Sequence, residues 1–165
     1  MMWFAPLLWA SCSPVSPPCE RTGNGVGECA PALELPQANG EPWSLEEQQN
    51  RVVLVQFAAS WCGSCQASAP VHQALHDSYR ADGFTKVTVL KGDADFASAD
   101  QADAQEWTDY FGLTHPVLYD EDKVAWKAWR RESSSVPQLF LVDGEGAIRW
   151  RKIGVVSQDV LIEHI

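Results

Sequence analysis

Five cysteines stand in this chain of 165 residues, and two of them, Cys62 and Cys65, are separated only by Gly63 and Ser64. Two thiols at that spacing can exchange a disulfide with a partner. One thiolate attacks, and the second must lie close enough to resolve the mixed disulfide before the partner is trapped. The spacing serves that chemistry if the pair opens a helix. Cys62 would then sit where unsatisfied backbone N–H groups and the positive end of the helix dipole favour S⁻ over SH. Lowering its pKa from about 8.5 to ~7 corresponds to roughly 2 kcal/mol of thiolate stabilisation. Cys65, one turn deeper, is placed to wait as the resolving thiol. A bare Cys-x-x-Cys also occurs in zinc sites, so the elements around it have to decide.

Those elements can be read from periodicity. Residues 52–58, Val-Val-Leu-Val-Gln-Phe-Ala, form a short, nearly continuous apolar run, as a strand buried on both faces should. A helix follows the cysteine pair to about residue 80, with Ala67, Val71, Ala74, Leu75 and Tyr79 at helical spacings. Residues 87–90 form a second strand, 100–111 a helix turning Ala104, Trp107 and Phe111 inward, 117–119 a third strand and 121–130 another helix. Residues 138–142 and 147–151 flank Asp143-Gly144-Glu145-Gly146 as a β-hairpin, and Ser157 can cap a final helix. Strands alternating with helices and closed by a hairpin mean an α/β sandwich with a mixed sheet.

With the elements in place, the segment Phe57-Ala58-Ala59-Ser60-Trp61-Cys62-Gly63-Ser64-Cys65, with Pro70 five residues beyond, resembles the active-site segment of the thioredoxin superfamily. Val136-Pro137, directly before the strand at 138–142, matches that family's cis-proline, which lies against the cysteine pair and whose preceding residue offers backbone hydrogen bonds to a bound peptide. The additional helix and strand before that proline, with the lead-in at 33–45, resemble the TlpA-like branch, extracytoplasmic proteins that are often membrane-anchored. The likeness covers residues 33–156.

The resemblance implies a thioredoxin-like α/β fold and a protein-disulfide oxidoreductase, working as an extracytoplasmic reductase. Its partners would be protein thiols and disulfides and an upstream thiol-protein electron donor, with no organic cofactor and no metal. Cys62 and Cys65 would be catalytic, Trp61, Val136 and Pro137 would form the substrate-docking surface, and Gly63 and Ser64 would tune the redox potential. Family members span about 150 mV, or ~7 kcal/mol, which leaves the direction of transfer open. The chain also departs from the pattern. Gln56 stands where thioredoxin carries a buried acid, Ser68 where the TlpA-like branch usually has Glu, and Ser64 where it often has Pro. A general base for Cys65 is not identified.

The remaining cysteines bear on location. A short apolar stretch, residues 3–10, leads into Ala10-Ser11-Cys12 and a Pro/Ser-rich segment, resembling a bacterial lipoprotein signal. It has no Lys or Arg before the apolar stretch, and Trp9 where an aliphatic residue is usual. Cys12 is a candidate lipidation site; a signal cleaved elsewhere, a misassigned start and a plain terminus are the alternatives. Setting Cys12 aside leaves two pairs. Cys19 and Cys29, separated by a stretch with Gly23, Gly25 and Gly27, could close a structural disulfide that persists only in an oxidising compartment, or could be free thiols. The domain expectation is a signal at 1–12, a linker at 13–32 and a thioredoxin-like domain at 33–165.

Charge narrows the partners. The net charge is −10, and residues 93–122 hold nine carboxylates and no Lys or Arg, a solvated acidic face. Nucleic acid is not an expected partner. No apolar run approaches the ~20 residues that cross a bilayer, and a monomer is expected. His72 and His76 fall within about 20° of Cys65 around an ideal helix, but the 11 residues to His76 span ~16 Å, too far to share an ion. Both are expected to be exposed polar residues, and His115 has no assigned role. A copper chaperone and a redox-inactive binding module on the same fold remain as alternatives. A peroxidase of the peroxiredoxin kind would need a Thr and Arg arrangement that the residues before Cys62 do not supply.

Overall fold

A computed structural model of the chain describes residues 19–165. Strand β3 (Val52–Ala58) carries the continuous apolar run and lies at the centre of a five-stranded sheet, between β4 (Phe84–Leu90) on one side and β6 (Gln138–Val142) on the other. The order is completed by β5 (Val117–Tyr119) outside β4 and β7 (Ile148–Ile153) outside β6. β3, β4 and β5 run parallel, whereas β6 and β7 are antiparallel to their inner neighbours, so the sheet is mixed. A small antiparallel pair, β1 (Glu34–Pro36) and β2 (Pro42–Ser44), leads in.

Helices α1 (Gly63–Tyr79), α2 (Gln101–Phe111), α3 (Val124–Trp129) and α4 (Gln158–Ile162) flank the sheet. On one face Val53, Val55, Phe57, Val87, Val89 and Phe140 pack with Trp126 and Trp129 of α3 and with Leu33 and Trp43 of the lead-in. On the other, Leu54, Leu139 and Leu141 meet Leu75 of α1 and Leu161 of α4. The superfamily fold is therefore present, with α2 and β5 placed before β6.

Three boundaries differ from the sequence reading for physical reasons. β4 begins at Phe84, because Thr85 and Lys86, polar but buried, continue its ladder to β3. α3 begins only at Val124: the Asp120 carboxylate accepts the N–H groups of Ala125 and Trp126, at 3.3 and 2.6 Å, and Lys123 takes a left-handed conformation at φ 55°. Most of the stretch read as a linker belongs to the fold from Thr22 onward. Gly27 N–H donates to the Ile148 carbonyl (2.8 Å), Ile148 N–H to Glu28 (2.9 Å) and Ala30 N–H to Gly146 (2.9 Å), so these residues cover the start of the outer edge of β7, at Ile148. A Cys19–Cys29 disulfide closes that segment. Covering an edge strand in this way occupies backbone groups that would otherwise pair with another chain. The segment 1–12 and Cys12 lie outside the described residues, and no described helix is long and apolar enough to cross a membrane.

Candidate active site

β3 delivers the chain to the site. After Ala58 the backbone turns, with Ser60 N–H donating to Gly92 (2.9 Å) and Cys62 N–H to Ala59 (3.0 Å), and α1 starts at Gly63. Cys62 is the N-cap residue: its Sγ accepts the Cys65 N–H at 3.2 Å, in the place where a Ser or Asp oxygen usually satisfies a free helix donor. Cys62 and Cys65 are joined as a disulfide, with Cα atoms 5.2 Å apart. Ser64 Oγ is 3.4 Å from Cys62 Sγ, and because a disulfide sulfur has no proton the hydroxyl is the donor. The Val136 carbonyl oxygen lies 3.7 Å from the same sulfur, and the Val136–Pro137 peptide bond is cis.

Cys65 is fully buried, Cys62 is 4% exposed and Trp61 is 36% exposed, so the first cysteine lies at the edge of a surface and the second beneath it. A concavity of about 700 Å³ lies at the opposite end of β3, lined by Leu33, Leu45, Val53 and Gly144 among others. The fold thus brings Trp61, Cys62, Ser64, Cys65, Val136 and Pro137 together. A Cβ on Gly63 would meet nothing within 4 Å. Cys19 and Cys29 sit apart, at the β7 edge.

Below the cysteines lies a polar layer that corrects the sequence reading. His72 and His76, expected to be exposed, are 2% and 8% exposed, and His115 is 3% exposed. Gln56 Nε2 donates to Ser68 Oγ (3.2 Å), and Ser68 Oγ donates to the Cys65 carbonyl (2.9 Å). Gln56 Oε1 must therefore accept from His72 Nδ1 (3.0 Å), which places the His72 proton on Nδ1. Gln56 and Ser68, the positions where the resemblance led to an expectation of acids, are thus bonded to each other, and Gln56 is bonded to a histidine.

A buried lysine extends the layer. Lys86 Nζ donates to the Val87 carbonyl (2.6 Å) and to Thr88 Oγ1 (2.9 Å), and Thr88 Oγ1 bonds His115 Nε2 (3.1 Å). His115 Nδ1 bonds Gln73 Oε1 at 3.0 Å. No carboxylate faces this lysine among these contacts, and burial pushes its pKa well below the usual lysine value. Burial, with the Lys86 charge adding to it, pushes His72 down to about 3, and burial likewise lowers His76 and His115. The signal that finds His72 and His76 is helical phase. Cys65, Ser68, Ala69, His72, Leu75 and His76 make one buried stripe of α1, fixed once Cys65 is known to face inward. Among the described residues no group of three or more His, Cys, Asp or Glu is arranged to hold a metal ion.

Residues 26–151 match the AhpC/TSA family. The chain belongs to that family. Within it the chain is similar to the thiol-disulfide oxidoreductase ResA of Geobacillus kaustophilus, 23% identical over 146 residues, covering 88% of this chain and 79% of the relative. It is 28% identical over 141 residues to the thioredoxin-like protein YneN of Bacillus subtilis, covering 84% and 78%. A solved structure from Chlorobium tepidum, of a protein proposed to be the thiol:disulfide interchange protein DsbE, superposes with a TM-score of 0.73 at 26% identity, covering 84% of this chain and 94% of that one. The oxidoreductase reading drawn from the cysteine pair agrees with both family and relatives.

Proposed function

We propose that this AhpC/TSA family member is a protein-disulfide reductase that works through its Cys-Gly-Ser-Cys motif. The observation that carries the reading is the Cys62–Cys65 disulfide at the N-cap of α1, beneath the Val136 carbonyl. In the reduced chain the Cys65 N–H and the Ser64 hydroxyl are donors aimed at the Cys62 sulfur, and with the helix N-terminus they favour its thiolate. That thiolate attacks one sulfur of a partner disulfide; the partner's other sulfur leaves as a thiolate. Cys65, deprotonated, then attacks Cys62 Sγ and expels the partner's second thiolate. Two electrons pass to the partner, and the Cys62–Cys65 disulfide is reset by an upstream thiol protein.

Trp61, Val136 and Pro137 border the sulfur and would dock the partner, and Gly63 and Ser64 would tune the potential. The Cys19–Cys29 disulfide supports an extracytoplasmic location, because such bonds persist in oxidising compartments. Lipidation at Cys12 would anchor the chain there, and a Cys12→Ser variant should then lose labelled fatty acid. The exchange role is tested with Cys65→Ala. That variant should accumulate partner proteins bonded to Cys62 and released by reductant, as a Cys62→Ala variant should not. Equal, empty captures from both would remove the reading.

A further inference from the structure

The connection between β4 and α2 carries, midway along it, an aromatic side chain that neither the core nor the exchange chemistry uses. Phe96 is 72% exposed. Its ring stacks on Trp61, the residue before the reactive cysteine, with centroids 5.1 Å apart and planes inclined by 23°. The loop is built to hold it there. Asp93 Oδ1 accepts the N–H groups of Asp95 and Ala97, at 3.0 and 2.7 Å, and Asp93 N–H donates to the Ala97 carbonyl at 3.2 Å. Gly92 lets the loop and the indole close up, since a Cβ there would lie 3.1 Å from the Ala97 oxygen and 3.3 Å from Trp61 Nε1. The Lys91 ammonium sits 5.4 Å from the Trp61 ring centroid and 5.0 Å from that of Trp126, tying the indole to the body of the fold.

Two costs are borne for this arrangement. Phe96 has φ 67°, a left-handed conformation that a bulky side chain rarely adopts. Its ring also stays in water, whereas the other aromatics near the site are partly or fully covered. A loop that needed only to connect β4 to α2 would place Gly or Asn at that position. Trp61, on which Phe96 stacks, is the chain neighbour of Cys62, and two to three residues of extended polypeptide span on the order of 10 Å.

We propose that Phe96, with Trp61, is a specificity-determining step that receives an aromatic or aliphatic side chain lying two or three residues from the attacked cysteine of a partner protein. The inference rests on the exchange reading above and narrows its substrate class: disulfides with an apolar neighbour are favoured over those with polar neighbours. An added aromatic contact supports a preference of about tenfold.

The test compares rates of disulfide reduction by the reduced chain for two peptides, one with Phe and one with Ser two residues from the cysteine, together with a small aromatic disulfide that has no peptide flank. The wild-type chain should favour the Phe peptide by about tenfold. Phe96→Ser should bring the ratio of the two peptides close to one, Phe96→Leu should keep most of it, and Tyr110→Ser, which alters another exposed aromatic on α2, should keep all of it. A ratio that survives Phe96→Ser overturns the proposal, as does a fall of equal size for both peptides, which would make the ring a prop for Trp61. If the wild-type chain fails to reduce even the small disulfide, the exchange reading itself fails, and this inference with it.

Discussion

Strands β3 and β4 lie side by side and are buried along nearly all their length, yet their two faces are made of different chemistry. Toward α3 they present Val53, Val55, Phe57, Val87 and Val89, packed on Trp126 and Trp129. Toward α1 the same strands present, beside Leu54 and Phe84, which pack with Leu75, the polar Gln56, Lys86 and Thr88, bonded into the layer with His72, Ser68 and His115. The aromatic face excludes water without directional demands, so it contributes stability that does not depend on protons. The polar face is held by hydrogen bonds whose partners must each keep one protonation state, and it reaches the backbone of Cys65. The half of the core that supports the exchange site is therefore the half that titrates.

The largest effect expected from this contrast is on the aromatic face. Trp129 is fully buried, with ring centroids 5.8 Å from Phe57 and 5.2 Å from Phe140. Trp129→Ala should cost about 3–5 kcal/mol by denaturant unfolding. It should do so equally at pH 7.5 and pH 5; a loss under ~1 kcal/mol would deny that this face carries the fold.

Acid should act on the other face. His72 has a folded pKa of about 3, against an ordinary value of 6.5. The unfolded chain then binds the proton that the folded chain refuses, so stability is complete above about pH 6.5 and is lost as the pH falls from there toward 3. His72 alone should remove about 2 kcal/mol by pH 5. His115 adds in the same direction, as does His76, on which Asp77 acts oppositely and Arg80, Lys86 and Arg51 act with burial. His72→Leu should lessen the slope of the curve between pH 7.5 and 5 by the His72 share, and a slope unaltered by that change would place the titrating group elsewhere.

The two faces were also unequally legible. The apolar run of β3 announces a central strand, and the motif with its later Val136-Pro137 points to the Cys62–Cys65 disulfide and the cis bond beside it, because both signals are local. The polar layer is not local. Lys86 between Thr85 and Val87 reads as a residue pointing to water, and only its pairing opposite Leu54 of β3 shows that it is enclosed. His72 and His76 share the angular position of Cys65 on α1, but their burial follows only once that stripe is known to lie against the sheet. His115 depends on a loop whose path no periodicity reports. The segment at 22–30 looks like a linker by composition, and it is the backbone edge of β7, silent in any side-chain pattern, that gives it a place.

The smallest and sharpest test is Lys86→Met. A lysine whose folded pKa lies well below 10.5 makes the fold less stable at every pH under that value, because the unfolded chain holds a proton that the buried amine does not. Methionine fills a similar volume without that demand. It forfeits two hydrogen bonds, to the Val87 carbonyl and Thr88 Oγ1, but Thr88 keeps His115 as a partner. The net change at pH 7.5 should be a gain on the order of 1 kcal/mol, and the rise of stability between pH 7 and 10 expected of the wild-type chain should disappear. A loss instead, with that rise intact, would mean that the ammonium stays charged inside the fold and that its two acceptors outweigh its desolvation. The α1 face would then be a solvated ion in all but position, and the contrast between the two faces would be one of charge as well as of hydrogen bonding.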